Sequence, residues 1–195
     1  MDGVSDALFI RHGATDLAGS FCGHSDPGLN ERGRQQVAML LEQIADEEIE
    51  VVYSSDLRRA RETAAALATA KGIATHSLPE LREIGFGEWE GLSWAAVEER
   101  HAEDARRWLA AYPAMPAPGG EAVAEFEARV LAATETLLQT EARRFAVVSH
   151  AGVMRVVLRR LYGLAEDECF ARTQNYCSVV RVPLAAGVVH QGVQA

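Results

Sequence analysis

Cationic and imidazole side chains follow three short apolar runs of this chain. Arg11 and His12 come directly after the first run, Arg59 follows shortly after the second, and His150 follows another. A guanidinium can bind phosphate or carboxylate oxygens through paired hydrogen bonds, and a neutral imidazole can act as nucleophile, base or metal ligand. Two arginines and two histidines would suit a transferring phosphoryl group, whose charge spreads over three oxygens.

The segment Arg11-His12-Gly13 has two interpretations when it is considered alone. Gly13 would let a ligand approach the backbone, which favours a binding site. A buried arginine that makes an ion pair, beside a core histidine, explains the same three residues equally well. The other motifs of the chain must decide between these interpretations.

The hydrophobic pattern indicates strands that alternate with helices. This order predicts an α/β fold with a mainly parallel sheet and helices on both faces. Ligands of such sheets bind at the carboxyl ends of the strands, so the groups that follow the apolar runs should meet at one edge. The predicted strands are 7–10, 51–53, 73–78, 145–148, 178–183 and an edge strand 188–193, and the predicted helices are 30–44, 57–69, 93–112, 122–142 and 153–162. Asn30, Asp56 and Ser93 are the predicted N-caps.

Composition limits the classes of protein to which the chain can belong. Its 195 residues predict a single domain over 1–195, and a net charge of −9 argues against nucleic-acid or anionic-membrane partners. We find neither an apolar run of about 18 residues nor a signal peptide. Cys22, Cys169 and Cys177 fit no zinc spacing, so we expect free thiols in a cytoplasmic protein.

Several other reaction chemistries fit the sequence poorly. It has no Walker loop that ends in Gly-Lys-Ser/Thr and no Gly-x-Ser-x-Gly nucleophile elbow. A cysteine phosphatase would need an arginine on the tight loop after Cys22, and none follows there. A metallohydrolase would need several carboxylates beside the histidines, where only Asp16 and Asp56 are expected. We therefore predict no metal site.

Four motifs in order resemble the histidine phosphatase superfamily, which has the phosphoglycerate-mutase-like fold. They are Arg11-His12-Gly13 after a strand, SSDLRRARETA over 54–64, LREIGFGEWEG over 81–91, and VVSHAG over 147–152. The resemblance implies a three-layer α/β/α sandwich. It covers nearly the whole chain, and the spacing of the motifs is compatible with one domain.

The resemblance implies a role for each matching residue. His12 would be the nucleophile, with its other ring nitrogen held by a backbone carbonyl. Arg11 and Arg59 would bind the phosphoryl group, and His150 would donate to one of its oxygens. Glu83 would protonate the leaving oxygen and then activate water. Three acids nearby compete with Glu83 on sequence alone: Glu80, Glu88 and Glu90.

Further phosphate contacts are implied at Gly23 and Ala151, and some residues depart from the family pattern. Gly23 stands where members bring a backbone N–H to the phosphate, and Ala151 stands where a second glycine is common. Many members have tryptophan and asparagine after the first motif, where this chain has Leu17 and Ala18. The asparagine often touches phosphate, so one contact is expected to be missing.

These observations predict a phosphomonoesterase that forms a phosphohistidine and needs no metal or cofactor. The segments PAPGGE and GFGEWEGLSW are similar to those of alpha-ribazole phosphatases and broad-specificity relatives. Four side chains are candidates for an apolar mouth: Trp89, Trp94, Tyr112 and Met115. Glu121 could line the entrance or simply begin a helix. A cofactor-dependent phosphoglycerate mutase and a non-catalytic binding protein remain alternatives, and a homodimer is compatible with the sequence.

Overall fold

The computed structural model describes residues 6–112 and 114–184, and a five-stranded sheet lies at its centre. The strands are β1 (Asp6–Arg11), β2 (Val51–Ser55), β3 (Ala74–Leu78), β4 (Arg144–Ser149) and β5 (Val179–Pro183). The predicted strand 188–193 lies outside the described residues. Within the described part of the chain, no helix is both long and apolar enough to cross a bilayer.

The strand order is β3-β2-β4-β1-β5, and only β5 is antiparallel to its neighbour. The predicted mainly parallel α/β sheet is therefore confirmed. In the pairing of β1 with β4, Arg11 lies opposite Ser149, and the backbone N–H of His12 donates to the Ser149 carbonyl at 3.0 Å. The two strands thus end together, and His12 and His150 leave the sheet side by side.

Helices cover both faces of the sheet, because side chains alternate along each strand. Ala7 and Phe9 of β1 face one apolar layer, whereas Leu8 and Ile10 face the other. The helices are α1 (Glu31–Gln43), α2 (Arg58–Lys71), α3 (Trp94–Arg100), α4 (Ala102–Ala111), α5 (Val123–Leu138), α6 (Ala151–Arg160) and α7 (Glu166–Thr173). The first layer packs against α5, α6 and α7, and the second packs against α1 and α2.

A third apolar cluster lies beside the sandwich and contains α3 and α4. We predicted one helix over 93–112, and this was wrong: His101, with φ −131° and ψ 38°, interrupts it. The break lets Val97 and Ala105 both pack into the cluster around the fully buried Trp89. The hydrophobic pattern does not encode a bend of this kind.

The predicted N-caps gave mixed results. Asn30 accepts the Gly33 N–H, and Ser93 accepts the Ala96 N–H, as expected. The prediction for Asp56 was wrong, because Leu57 occupies the cap position of α2 without a side-chain bond. The Asp56 carboxylate instead binds Arg82 through two hydrogen bonds of 2.7 and 2.6 Å. Asp56 therefore pairs with a residue that is distant in sequence and does not cap the helix.

Candidate active site

The rings of His12 and His150 lie 5.1 Å apart, edge to face, at the carboxyl edge of the sheet. Both side chains are buried, with 6% and 1% of their surface exposed. The sheet register explains this closeness, because each histidine follows the last paired residue of its strand. The structure therefore brings together two residues that are 138 positions apart in the chain, since 150 − 12 = 138.

The hydrogen bonds of His12 define its tautomer. Its Nδ1 lies 2.7 Å from the carbonyl oxygen of Gly13, which can only accept, so Nδ1 carries the proton. The Nε2 atom then carries a lone pair in place of a proton, and this lone pair accepts a hydrogen bond from Nε of Arg59 at 3.2 Å. The backbone carbonyl expected to hold one ring nitrogen is thus present, and Nε2 is the atom available for attack.

Arg59 is fully buried at the start of α2, where its guanidinium spans a loop. Its Nη1 donates to the carbonyl of Ser25 at 2.6 Å, and its Nη2 donates to those of Cys22 and Gly23 at 3.2 and 2.8 Å. The terminal nitrogens are therefore occupied by backbone oxygens. Only Nε faces His12, so Nε is the donor that a ligand beside His12 would meet.

Arg11 is held by the segment between α7 and β5. Its Nη1 donates to the carbonyls of Thr173 and Gln174, and its guanidinium lies 4.2 Å from the ring centre of Tyr176. The same tyrosine ring lies 5.6 Å from His12. Tyr176 was not among the predicted site residues. Its position follows from β5, whose antiparallel pairing with β1 returns the preceding loop to this edge.

Three buried nitrogens at this edge have no hydrogen-bond partner within the described residues. They are Nε of Arg11 and both ring nitrogens of His150. A buried polar atom without a partner costs about 1–3 kcal/mol, so native proteins rarely leave several in one place. Unpaired donors beside two guanidinium groups favour a ligand that carries several acceptor oxygens. A phosphoryl group is such a ligand.

Burial favours the neutral form of both histidines. It holds the pKa of His12 well below the ordinary 6.5, and the neighbouring Arg59 charge lowers that pKa further. Burial also holds the pKa of His150 well below 6.5, with a smaller contribution from His12. An imidazole nucleophile must be neutral, so the site favours the reactive form of His12 at and below neutral pH.

Glu83 lies beside this cluster at the amino end of α6. Its Oε2 accepts the N–H of Gly152 at 2.9 Å, and its Oε1 accepts the N–H of Ile84 at 3.0 Å. Among the competing acids, Glu80 and Glu88 are exposed, and Glu90 is bound to backbone N–H groups of the loop 22–25. Glu83 is therefore the one of these four that lines the cavity, together with Ala151 and Gly152, which directly follow His150.

Arg129 of α5 holds the backbone around Glu83. It donates to the carbonyls of Glu80, Arg82 and Glu83 at 2.7, 2.8 and 3.0 Å. Glu121 pairs with the same guanidinium at 2.6 Å, accepts the Gly85 N–H, and lines the cavity. Glu121 therefore both faces the entrance and braces the segment that carries Glu83.

The two remaining predicted phosphate contacts differ in their surroundings. The N–H of Gly23 donates to Oε2 of Glu90 at 3.1 Å, so another anion already uses the donor expected to bind phosphate. A side chain at Gly23 would also be blocked, because its Cβ would lie 2.1 Å from the Ile84 carbonyl oxygen. Ala151 begins α6 and lines the cavity beside Glu83.

A cavity of about 710 Å³ extends outward from Glu83. Tyr112 and Met115 line it as expected, whereas Trp94 and the fully buried Trp89 do not. Three other lining residues were not predicted from the sequence: Phe21, Trp108 and Arg155. Their sequence neighbourhoods carry no motif, and only the folded chain brings them together.

Comparison with known proteins relates this geometry to phosphatases. Residues 7–190 match the family model described as "Histidine phosphatase superfamily (branch 1)". The chain is 32% identical to phosphoserine phosphatase 1 of Hydrogenobacter thermophilus over 160 residues, which cover 80% of this chain and 76% of that protein. It is 30% identical to the adenosylcobalamin/alpha-ribazole phosphatase of Salmonella typhimurium over 155 residues, covering 78% and 77%.

A solved structure has the same architecture. The mycobacterial glucosyl-3-phosphoglycerate phosphatase superposes with a TM-score of 0.78 at 26% identity, covering 92% of this chain and 90% of that one. The five-stranded, mostly parallel sheet thus matches phosphoglycerate-mutase-like structures, as the four motifs predicted.

Proposed function

Because the chain belongs to branch 1 of the histidine phosphatase superfamily, we propose that it hydrolyses phosphate monoesters through a phosphohistidine on His12, without metal or cofactor. One observation carries the proposal. Nε2 of His12 is unprotonated, and the His12 ring packs against that of His150, whose ring nitrogens, like Nε of Arg11, are buried and unpartnered. A nucleophile and unpaired donors for phosphoryl oxygens therefore occupy the same buried edge.

In the first step, Nε2 of His12 attacks phosphorus and the bond from phosphorus to the alcohol oxygen breaks on the opposite side. Glu83 gives its proton to that oxygen, so the alcohol leaves neutral and the phosphoryl group remains on His12. The N–H of Arg59 Nε now donates to a phosphoryl oxygen instead of to Nε2, which frees the lone pair for attack. Nε of Arg11 and a ring nitrogen of His150 bind the remaining oxygens.

In the second step, the Glu83 carboxylate takes a proton from water while the water oxygen attacks phosphorus. The bond from phosphorus to Nε2 breaks, inorganic phosphate leaves, and Glu83 again holds the proton that it gave up. The contacts from Gly152 and Ile84 keep the carboxyl in one place through both steps. A fixed carboxyl is what acid and base catalysis at the same oxygen position requires.

The substrate we propose has a bulky, partly apolar alcohol. The supporting observation is the cavity next to Glu83, which Phe21, Trp108 and Tyr112 line with aromatic surface. The names of the relatives include phosphatases of phosphoserine, alpha-ribazole and glucosyl-3-phosphoglycerate, so the family provides several alcohols of different size. An aromatic cavity supports the alpha-ribazole type or a broad-specificity enzyme.

Phosphoglycerate mutase activity has less support. A mutase needs a basic pocket for a second acidic group, and the candidate cations are Arg100, Arg106 and Arg107. None of the three lines the cavity. The arginines that do line it, Arg155, Arg159 and Arg160, share the lining with four glutamates, which would repel a second acidic group. Arg106 bonds the Ala102 carbonyl, and Arg107 pairs with Asp104 on the same helix. A non-catalytic role is also less supported, since the proposed nucleophile, proton donor and both arginines are all present.

Substitution of His12 by Ala tests the proposal. We expect the rate on 4-nitrophenyl phosphate, measured with a chelator present, to fall at least about 10³-fold, because the nucleophile is lost. The unmodified protein should form a phosphoenzyme that is detected after quenching at neutral or alkaline pH and is lost after quenching in acid. The His12→Ala protein should form none. The exposed His76→Ala is the matched control. A His12→Ala protein that keeps most of its rate would contradict the proposal.

A further inference from the structure

The carboxylate of Glu90 accepts hydrogen bonds from four backbone N–H groups, which belong to two separate segments. Oε1 accepts from His24 at 2.7 Å and from Phe86 at 3.0 Å, and Oε2 accepts from Gly23 at 3.1 Å and from Ser25 at 3.0 Å. Burial alone would raise the pKa of Glu90, but these hydrogen bonds outweigh it and lower the pKa. Glu90 is therefore held as an anion inside a set of converging donors.

The opposite edge of the same loop binds a cation. The carbonyls of Cys22, Gly23 and Ser25 accept the two terminal nitrogens of Arg59 at 2.6–3.2 Å. The segment 22–25, which we call the strut loop, thus has its N–H groups on Glu90 and its carbonyls on Arg59. It belongs to no strand or helix, so these two side chains supply the hydrogen bonds that fix its path.

We infer that Glu90 is a positioning residue, which acts through the strut loop to hold Arg59 Nε against Nε2 of His12. The inference rests on the proposed function only for the role of His12, since the contacts themselves are independent of it. Arg59 has no acidic partner of its own among the described residues, and its orientation comes from the three carbonyls. Movement of the strut loop would therefore move the guanidinium.

The packing of Gly23 supports a close fit between Glu90 and the strut loop. A Cβ on Gly23 would lie 2.5 Å from Oε1 of Glu90 and 2.1 Å from the carbonyl oxygen of Ile84. The loop backbone can approach the carboxylate this closely only because the residue is glycine. The glycine assigned to phosphate binding from sequence is thus explained by its contact with Glu90.

The substitution Glu90→Gln tests the inference, because the amide keeps the size but has one acceptor oxygen and an NH2 group that opposes the N–H donors. We expect kcat/KM on 4-nitrophenyl phosphate to fall about 10- to 100-fold, in the range that a displaced catalytic group produces. Glu88→Gln is the matched control, since Glu88 is exposed and lies two residues away. It should leave the rate unchanged.

The pKa of His12, followed by NMR in the free protein, separates positioning from a loss of charge or stability. Removing a nearby anion would by itself lower the pKa of a histidine. Retreat of Arg59 would raise it, because the Arg59 charge is one of the causes that lower it now. We therefore expect the pKa of His12 to rise in Glu90→Gln. This titration does not depend on catalysis, so it can succeed even if the proposed phosphatase activity fails.

A second variant changes the contact between Glu90 and the strut loop on the side of the loop. Gly23→Ala should push the strut loop away from Glu90 while the carboxylate stays, and it should also raise the pKa of His12. It keeps the inference testable if Glu90→Gln does not fold. A folded variant of either kind with an unchanged or lowered His12 pKa would overturn the inference, whatever its rate.

Discussion

The edge where the strands end and the cavity beside it are built in opposite ways. At the strand edge, Arg59 is fully buried, and each of its nitrogens donates a hydrogen bond to His12 or to the strut loop. In the cavity, the lining is aromatic and partly open to solvent, and Tyr112 is 56% exposed. One region is cationic and fixed, whereas the other is accessible and combines aromatic side chains with charged ones of both signs.

This difference separates chemistry from substrate choice. The strand edge is fixed by the register of β1 and β4, which also forms the centre of the core, so it cannot change without disturbing the fold. One wall of the cavity comes from α4 and the residues that follow it, where Trp108 and Ala117 belong to the third apolar cluster and not to the two main layers. The helices α5, α6 and α7 supply most of the remaining lining. Phosphatases of one fold can therefore keep a single reaction and vary the alcohol that they accept.

Among the variants that test this comparison, the largest expected effect concerns the border between the two regions, at Gly152. A Cβ there would lie 2.1 Å from Oε1 of Glu83, so Gly152→Ala should displace the carboxyl. We expect the rate on an alkyl phosphate to fall about 10²-fold, because an alkoxide needs a proton to leave. The rate on 4-nitrophenyl phosphate should fall much less, since nitrophenolate leaves without one. The difference is measured as kcat/KM for each of the two substrates in steady-state kinetics.

The double variant Gly152→Ala/Glu83→Gln is the control for this assignment. If the alanine acts only through Glu83, the double variant should be no slower than Glu83→Gln alone. Losses that simply add would show that Gly152→Ala damages something other than the carboxyl. Equal losses of kcat/KM, which reports only the steps up to release of the alcohol, would contradict Glu83 as the proton donor.

The strand edge could be predicted from sequence because its determinants are local. His12 and His150 each come at the end of a short apolar run, and parallel strands align their ends, so the two histidines could be expected to meet before any coordinates existed. Resemblance then selected Glu83 from a segment with several acids. Residue types alone could not do so, because Glu90 differs from Glu83 only in the distant backbone groups that surround it.

The cavity, and one residue of the strand edge, could not be predicted in the same way. Tyr176 reaches Arg11 and His12 only because β5 pairs antiparallel with β1, and nothing in its neighbourhood indicates a site. The helix pattern over 93–112 continues through His101, where the chain actually bends. Trp89 has the aromatic side chain expected of a cavity wall, yet packing buries it fully. Tertiary contacts decided each of these outcomes.

The dependence of stability on pH should reveal the buried histidines of the strand edge. Their pKa values are well below 6.5 in the folded protein, so the unfolded chain binds protons that the native one does not as the pH falls below 6.5. The free energy of unfolding should therefore decrease on acidification, by about 1.4 kcal/mol per pH unit for each histidine. The loss ends only when the pH reaches the folded pKa values.

Urea unfolding between pH 7 and pH 5.5 measures this slope. His12→Gln and His150→Gln should each lower the slope by about the contribution of one titrating group. His76→Ala, at an exposed position, is the control. A slope that survives both glutamine variants would mean that neither ring is held neutral by burial. The cavity contributes no histidine within its described lining, so its variants should also leave the slope unchanged.

The smallest expected effect lies in the cavity, at Tyr112. Its ring centre lies 4.8 Å from that of Trp108, and it is more than half exposed, so truncation should barely affect stability. We expect Tyr112→Ala to lower kcat/KM about fivefold for phosphate esters of bulky aromatic alcohols, which corresponds to about 1 kcal/mol of lost contact. Methyl phosphate, which is too small to reach the ring, should be hydrolysed at an unchanged rate.

Leu109→Ala is the matched control, because Leu109 is equally exposed on α4 but does not line the cavity. A uniform loss across both substrates would instead mean that the aromatic wall supports the strand edge and does not select the alcohol.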